Sequence, residues 1–245
     1  MSELYDRIGR GYATQRRPDP RIYQQIRRRL GDVASLVNVG AGTGSYEPKD
    51  LPVTAVEPSA EMIAQRAVRT CVVQARAEAL PFRNASFDAA LAILTVHHWQ
   101  DRQVGLQECA RAARKQVSML TWDPESDGFW LTQEYFPELL AYDRQVFPSL
   151  GEIRAALGRV AVERLLVPAD CVDGFLGAYW RRPRAYLDPA VRSAMSSFAR
   201  VADLEDRLKA LKTDLENGAW DRRYRHLIND DELDLGYRLV TARLH

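Results

Sequence analysis

The order of apolar and polar positions predicts alternating strands and helices over the first half of the chain. Short apolar runs indicate five strands, at about 35–39, 53–56, 71–74, 89–94 and 117–121. Helical periodicity and capping residues predict one helix before the first strand, at 20–30, and two helices between strands, at 58–69 and 101–113. This rhythm is typical of an α/β fold with a doubly wound, mostly parallel sheet, whose ligand site lies beyond the carboxyl ends of the strands.

The rhythm breaks after residue 122. Residues 160–167 and 236–244 are predicted as strands six and seven, which gives a seven-stranded sheet. We therefore divide the chain into a cofactor-binding part (1–122), an insertion after strand five (123–159), the last strands (160–168 and 236–245) and a mainly helical segment (169–235). Both insertions follow strands that end at the same edge, so they are predicted to form a helical cap over the substrate.

A glycine-rich turn between the first two predicted strands indicates a nucleotide site. Gly40, Gly42 and Gly44 alternate after an apolar run, and the next strand ends on Glu57. Glycine lets the backbone turn sharply against a ligand, and an acid at that strand end can accept hydrogen bonds from both ribose hydroxyls. Ser45 stands where a dinucleotide fingerprint has its last glycine, so a pyrophosphate is not the favoured ligand.

Four segments in order resemble class I S-adenosylmethionine-dependent methyltransferases, in particular the small-molecule branch of the ubiquinone and menaquinone biosynthesis enzymes. They are Tyr5-Asp6-Arg7-Ile8-Gly9 with Tyr12 and Arg16, Glu57-Pro58-Ser59 with Met62, Ala77-Glu78-Ala79-Leu80-Pro81-Phe82 with Ser86-Phe87-Asp88, and Leu94-Thr95-Val96-His97-His98-Trp99. The resemblance covers about residues 1–122. It implies a Rossmann-like fold and transfer of a methyl group to an oxygen, nitrogen or activated carbon of a small molecule, leaving S-adenosylhomocysteine.

The resemblance also implies which residues bind the cofactor. Glu57 is expected to hold the ribose, Met62 to pack on adenine, Glu78 or its neighbouring backbone to lie at the adenine edge, and Arg16 to pair with the carboxylate. The full predicted set is Tyr12, Arg16, Gly40, Gly42, Gly44, Glu57, Pro58, Met62, Ala77, Glu78, Leu94 and Thr95. One departure concerns the helix that usually follows the glycine loop, because Pro48 and Pro52 argue against more than about one helical turn there.

Candidate bases lie where predicted strands four and five end. His98, and less so His97, has the residue type to accept a proton near neutral pH, although either could instead pack against Trp99 or fix the backbone. Asp123 is a comparable candidate, with capping of the next segment as its alternative role. The aromatic residues Trp122, Trp130 and Trp180 are predicted to line the substrate pocket, whereas aromatic residues at helical spacing often form core.

Composition narrows the remaining classes. The net charge is +1, and acids are interspersed among the arginine clusters, which disfavours a nucleic-acid enzyme. No apolar run is long enough to span a bilayer, so we expect a cytoplasmic protein, either a monomer or a homodimer. Three scattered cysteines indicate neither a disulfide framework nor a metal site. Two alternatives stay open: a noncatalytic S-adenosylmethionine-binding sensor or partner-binding module, and an NAD-dependent oxidoreductase.

Overall fold

Seven strands form the centre of the fold in a computed structural model that describes residues 16–66 and 71–244. They are β1 (Leu36–Val39), β2 (Val53–Val56), β3 (Cys71–Val73), β4 (Phe87–Ile93), β5 (Ala113–Trp122), β6 (Val160–Pro168) and β7 (Glu232–Arg243). Their order in the sheet is β3-β2-β1-β4-β5-β7-β6. The strands from β1 to β5 run parallel, and β7 pairs antiparallel with both neighbours. The predicted doubly wound, mostly parallel seven-stranded sheet is confirmed.

Helices cover both faces of this sheet. They are α1 (Pro20–Leu30), α2 (Ala60–Ala64), α3 (Arg102–Ala112), α4 (Pro137–Val146), α5 (Leu150–Leu157), α6 (Pro189–Ser193), α7 (Leu204–Glu216) and α8 (Ala219–Tyr224). Successive residues of a strand face opposite sides, so Leu36 packs in the core with α1 and Val37 in the core with α3. The Asp19 carboxylate accepts the Arg21 amide at 2.9 Å and begins α1 as predicted.

Several predicted elements have different bounds in the structure; strand β5, for example, begins at Ala113 and not at about 117. The helix predicted at 58–69 is shorter, because Ser59 caps α2 and the helix ends at Ala64; residues 67–70 lie outside the described part. Strand β7 begins at Glu232 rather than at Gly236. Gly236 instead lies in an irregular part of the β6–β7 pairing with φ +90°, where a Cβ would come within 2.6 Å of the Trp122 indole nitrogen. The glycine marks a bulge inside the strand and not its start.

Residues 123–159 and 169–231, which follow β5 and β6, contribute helices α4 to α8 and several short turns. Their interior is aromatic: the Trp130 indole packs edge-on against Tyr186 and Trp220, with ring centres 5.7 and 5.3 Å apart. The predicted division of the chain into a cofactor-binding part and a cap stays a prediction. Over residues 16–66 and 71–244, no helix combines the length and apolar character needed to cross a membrane.

Candidate active site

A cavity lies where β1, β2 and β4 end, at the edge of the sheet predicted for the ligand. We call it the glycine-loop cavity; residues from segments 40–45, 57–62, 76–78 and 93–100, with Arg16 and Asn38, line it. Most of the predicted cofactor residues meet there: Arg16, Gly40, Gly42, Glu57, Pro58, Met62, Ala77, Glu78, Leu94 and Thr95. Tyr12 lies outside the described residues. Gly44 does not line the cavity.

Gly40 shows why this turn requires glycine. Its φ is +69°, and a Cβ placed there would lie 2.0 Å from the Thr95 side-chain oxygen. The Gly40 and Ala41 amides both donate to the Val56 carbonyl, at 2.8 and 3.0 Å, and so bind the turn to the end of β2. The close approach of Thr95 to the Gly40 backbone therefore fixes the floor of the cavity and leaves no room for a side chain.

Glu57 occupies the end of β2 and is buried. Its carboxylate accepts the Gly42 amide at 2.8 Å and the Ser59 amide at 2.9 Å. Burial raises the pKa of Glu57, while these two backbone donors act in the opposite direction. A carboxylate can accept about four hydrogen bonds, so Glu57 retains acceptor capacity toward a ligand in the cavity.

The adenine-side residues predicted from the sequence lie together on the next segment of the wall. Met62 and Ala77 are buried there. The Glu78 carboxylate accepts the Gln100 amide at 2.6 Å and the Asp101 amide at 3.2 Å. Glu78 therefore joins the loop after β3 to the start of α3, in addition to bordering the cavity.

A buried ion pair lies under the glycine loop, where the usual helix is absent. No helix is found between Gly44 and β2, as the prolines predicted. The Arg66 guanidinium contacts the Glu47 carboxylate at 2.6 Å and donates to the Gly42 carbonyl at 3.0 Å. Asn38 donates to Glu47 at 2.9 Å. Gly44 packs beside this pair, since a Cβ there would be 3.2 Å from both side chains.

A second cavity lies between the sheet and residues 123–200. We call it the cap cavity, and its lining includes Arg16, Leu94, His97, His98, Trp122, Phe129, Tyr142, Asp143, Phe147, Phe175, Met195, Arg200 and Tyr237. Arg16, Leu94 and His98 also line the glycine-loop cavity, so the two cavities adjoin.

Arg16 stands at the junction of the two cavities. Its Nε donates to the Asp173 carboxylate at 2.8 Å, and Asp173 is fully buried. The Tyr46 hydroxyl donates to the same carboxylate at 2.8 Å. Arg16 is thus oriented from the segment after β6, and one face of its guanidinium borders the site.

His97 and His98 lie in a short turn after β4. Burial is the largest cause that lowers the pKa of His98 to about 4, and it places the pKa of His97 well below its ordinary value. His97 stacks on Phe147 with ring centres 3.9 Å apart, and its buried Nδ1 has no hydrogen-bond partner in residues 16–66 and 71–244. Both imidazoles are therefore neutral at pH 7. His98 borders the junction, but its pKa is poorly matched to proton transfer at neutral pH.

Asp123 and two of the three tryptophans lie elsewhere than predicted. Asp123 lines neither cavity and pairs with Arg238 at 3.4 Å, so the base role predicted for it has no support in its position. Trp122 does line the cap cavity. The Trp130 and Trp180 indoles instead donate to the Trp180 and Val167 carbonyls, at 2.7 and 3.0 Å, within the core. Their predicted substrate role is not supported, because both side chains are buried in the core and neither lines the cap cavity.

Asp143 is a site residue that sequence reasoning missed. It lies on α4 and lines the cap cavity. Burial raises the pKa of Asp143 to about 7. A signal was present: Asp143 follows the buried Leu139 by four residues, which places both on one face of the helix.

Comparisons with known proteins agree with this geometry. A family model described as a methyltransferase domain matches residues 37–120. A solved structure assigned as a methyltransferase of an antibiotic biosynthesis pathway, from Anabaena variabilis, is 34% identical and covers 94% of this chain and 99% of its own, with a TM-score of 0.85. Uncharacterized proteins of Mycobacterium tuberculosis and Mycobacterium bovis are 29% identical, over 88% of this chain and 82% of theirs.

A structure from Thermotoga maritima, described as an S-adenosylmethionine-dependent methyltransferase with a possible histamine N-methyltransferase activity, shares the fold. It is 17% identical, covers all of both chains and has a TM-score of 0.59. With the stronger match to the Anabaena protein, the family is clear. The chain belongs to the class I S-adenosylmethionine-dependent methyltransferases.

Proposed function

We propose that this chain binds S-adenosylmethionine in the glycine-loop cavity and transfers its methyl group to a small molecule held in the cap cavity. The observation that carries the proposal is the junction at Arg16, Leu94 and His98, where the two cavities meet. A methyl transfer needs the acceptor in line with a sulfonium carbon, with water excluded. Cavities that adjoin at these three residues would bring an acceptor beside the methyl donor.

The residues of the glycine-loop cavity fit this cofactor. Glu57 retains acceptor capacity at the expected ribose position, the turn around Gly40 and Gly42 lets the backbone approach a ligand, and Met62 supplies an apolar surface for adenine. Arg16 suits a carboxylate because its guanidinium can make paired hydrogen bonds. When bound, the cofactor supplies the electrophilic methyl group, and the protein supplies position and a dry environment.

The acceptor is proposed to be a small molecule because the cap cavity is a pocket whose wall combines apolar and aromatic side chains with several polar ones. The relative from the antibiotic biosynthesis pathway supports this choice, since such pathways modify small molecules. The closer resemblance to the quinone-biosynthesis branch stays a prediction.

Calorimetry tests the cofactor assignment. S-adenosylmethionine, S-adenosylhomocysteine and NAD are titrated separately into the wild type, Glu57→Ala and the control Glu125→Ala, whose side chain is exposed and lines neither cavity. We expect micromolar binding of the two sulfur compounds, a roughly tenfold or greater loss in Glu57→Ala as charge-assisted hydrogen bonds disappear, and no change in the control. A preference for NAD, or no binding of either sulfur compound, contradicts the proposal.

A further inference from the structure

Asp143 brings one carboxyl group into a mainly apolar cavity. The structure gives that carboxyl no hydrogen-bond donor and no ion-pair partner among residues 16–66 and 71–244, and burial is the single cause found for its raised pKa. The side chain is half-buried and keeps contact with the cavity, and no donor in that part of the chain offsets the cost of its partial desolvation. Its place in the cavity wall suggests that a ligand supplies the missing partner.

The walls around Asp143 are aromatic. Phe147 packs edge-on toward Trp122 with ring centres 5.8 Å apart, and Phe175 packs in the same way against Tyr237 at 4.9 Å. The Trp122 indole nitrogen already donates to the Leu235 carbonyl at 2.8 Å, so it presents its ring and not a donor. An occupant of this cavity is therefore held mainly through apolar and aromatic surface.

Other charged and titratable groups also face the cap cavity. On the same helix, Tyr142 has the Arg200 guanidinium over its ring at 4.7 Å. From the turn after β4, His97 and His98 are neutral at pH 7 because burial lowers their pKa values. From β7, the Tyr237 hydroxyl accepts the Gly177 amide at 3.3 Å, and burial, followed by the charge of Asp143, raises the pKa of Tyr237.

Arg16, the remaining charged group in this cavity wall, is held by Asp173 at 2.8 Å. No described basic group forms an ion pair with Asp143, which is the one acidic residue in the described lining, beside arginine, histidine, hydroxyl and aromatic side chains. The wall thus carries one carboxyl group and the guanidinium groups of Arg16 and Arg200, so neither an anionic nor a cationic acceptor would be matched by all of these charges. The chemistry best matched is a neutral molecule with one hydrogen-bond donor.

We propose that Asp143 binds the nucleophilic O–H or N–H group of a neutral, mainly aromatic acceptor and takes its proton during methyl transfer. The inference rests on the proposed function, because it places the acceptor in the cap cavity. It adds the polar group that recognises the acceptor and the chemical class that this group selects.

The proposed step balances without a further reactant. The acceptor oxygen or nitrogen uses its lone pair to form a bond to the methyl carbon. The carbon–sulfur bond breaks, and its electron pair stays on sulfur, which changes from sulfonium to thioether. The proton of the O–H or N–H group passes to the Asp143 carboxylate and then to water. A base whose pKa lies near the working pH is well suited to this task.

Four probes with one ring and a common ethyl group test the acceptor class. 4-Ethylphenol and 4-ethylaniline carry a donor, 4-ethylanisole replaces it by a methyl ether, and 4-ethylbenzoate is an anion. Ligand-observed NMR titrations are run at pH 7 with S-adenosylhomocysteine present. We expect the wild type to bind the phenol and aniline more tightly than the ether and the benzoate, and Asp143→Ala to lose roughly tenfold for the donors alone.

Proton release provides a readout that does not depend on turnover. Calorimetry of 4-ethylphenol binding in buffers of different ionisation enthalpy counts the protons exchanged. At pH 7 Asp143 is about half protonated, and a donor stabilises its carboxylate, so we expect the release of up to about half a proton. Asp143→Asn removes this release. The exposed Asp32, which lines neither cavity, provides the control Asp32→Asn, expected to behave as the wild type.

The outcomes separate this inference from the proposed function. Failure of S-adenosylhomocysteine to bind the wild type overturns the proposed function itself. Normal cofactor binding in Asp143→Ala, with loss of donor probes only, supports the role of Asp143. Equal affinity for phenol and ether, an equal loss of all probes in Asp143→Ala, no binding of any probe, or no proton release by the wild type overturns the inference.

Discussion

Replacing Asp143 by asparagine is predicted to stabilise the fold at pH 8 and to leave it unchanged near pH 3. Burial raises the pKa of this carboxyl from 3.8 to about 7 in the folded chain. Between these two values the unfolded chain has lost the proton and the folded chain has kept it. The free energy of unfolding of the wild type therefore falls, through this group, as the pH rises from about 4 to about 7. Asparagine carries no such charge.

The size of the effect follows from the shift in pKa. A difference of about three pH units, at 1.36 kcal/mol each, gives an upper value of about 4 kcal/mol above pH 7. Water entering the cavity reduces this, so we expect about 2 to 4 kcal/mol. With a urea m-value of about 3 kcal/mol/M, the midpoint should rise by about 1 M at pH 8.

Urea denaturation of the wild type and Asp143→Asn at pH 3, 5, 6, 7 and 8 measures this difference. Subtraction removes other titrating groups, provided that the substitution does not alter their pKa values. Asp32→Asn, at an exposed position, should give no comparable trend. A midpoint difference that is flat with pH, or that favours the wild type at pH 8, refutes the claim that an unpartnered carboxyl is held in the cavity.

Three further substitutions test the site. Gly40→Ala should cost at least about 2 kcal/mol and abolish S-adenosylhomocysteine binding, because a Cβ meets Thr95 at φ +69°; normal calorimetry and urea midpoints would contradict this. Arg66→Ala should lower the free energy of unfolding in urea by about 3 to 5 kcal/mol, because the buried Glu47 carboxylate loses its ion-pair partner, and the double variant with Glu47→Gln should recover part of this loss. An equal loss in the single and the double variant would argue against a buried pair. As the pH falls from 6.5 to about 4, the wild type should lose up to about 3 kcal/mol of its free energy of unfolding through His98, because burial lowers the pKa of this residue, and His98→Asn should not show that loss. Parallel curves of unfolding free energy against pH for variant and wild type would refute it.

Elements set by local chemistry could be predicted from the sequence. Helix α1 begins and ends at its predicted residues because Asp19, Pro20 and Gly31 specify a start and a stop within a few residues. The glycine loop and Glu57 could be predicted equally well, since the parallel strands of a doubly wound sheet end at the same edge. Position along the chain is enough for such features.

The direction in which a side chain points, and what it packs against, could not be predicted from the sequence in the same way. Trp122 is the last residue of β5 and Asp123 comes directly after it, yet Trp122 borders the cap cavity and Asp123 pairs with Arg238. Alternate residues of an extended chain face opposite ways, and the strand end alone does not say which way. Composition predicts Trp130 and Trp180 as pocket residues, whereas the carbonyls that accept their indole N–H groups come from residues distant in sequence.

One polar cluster connects the glycine loop to the segment after β6. Tyr46 follows the glycine loop with φ +63°, is almost fully buried, and donates to Asp173 in the segment after β6. Asp173 in turn holds Arg16 at the junction of the two cavities. A non-glycine residue in this backbone region is costly, and the hydrogen bond to a buried carboxylate supplies a compensating gain. The same bond makes the position of Arg16 depend on both the glycine loop and the segment after β6, so the junction of the two cavities forms from parts of the chain far apart in sequence.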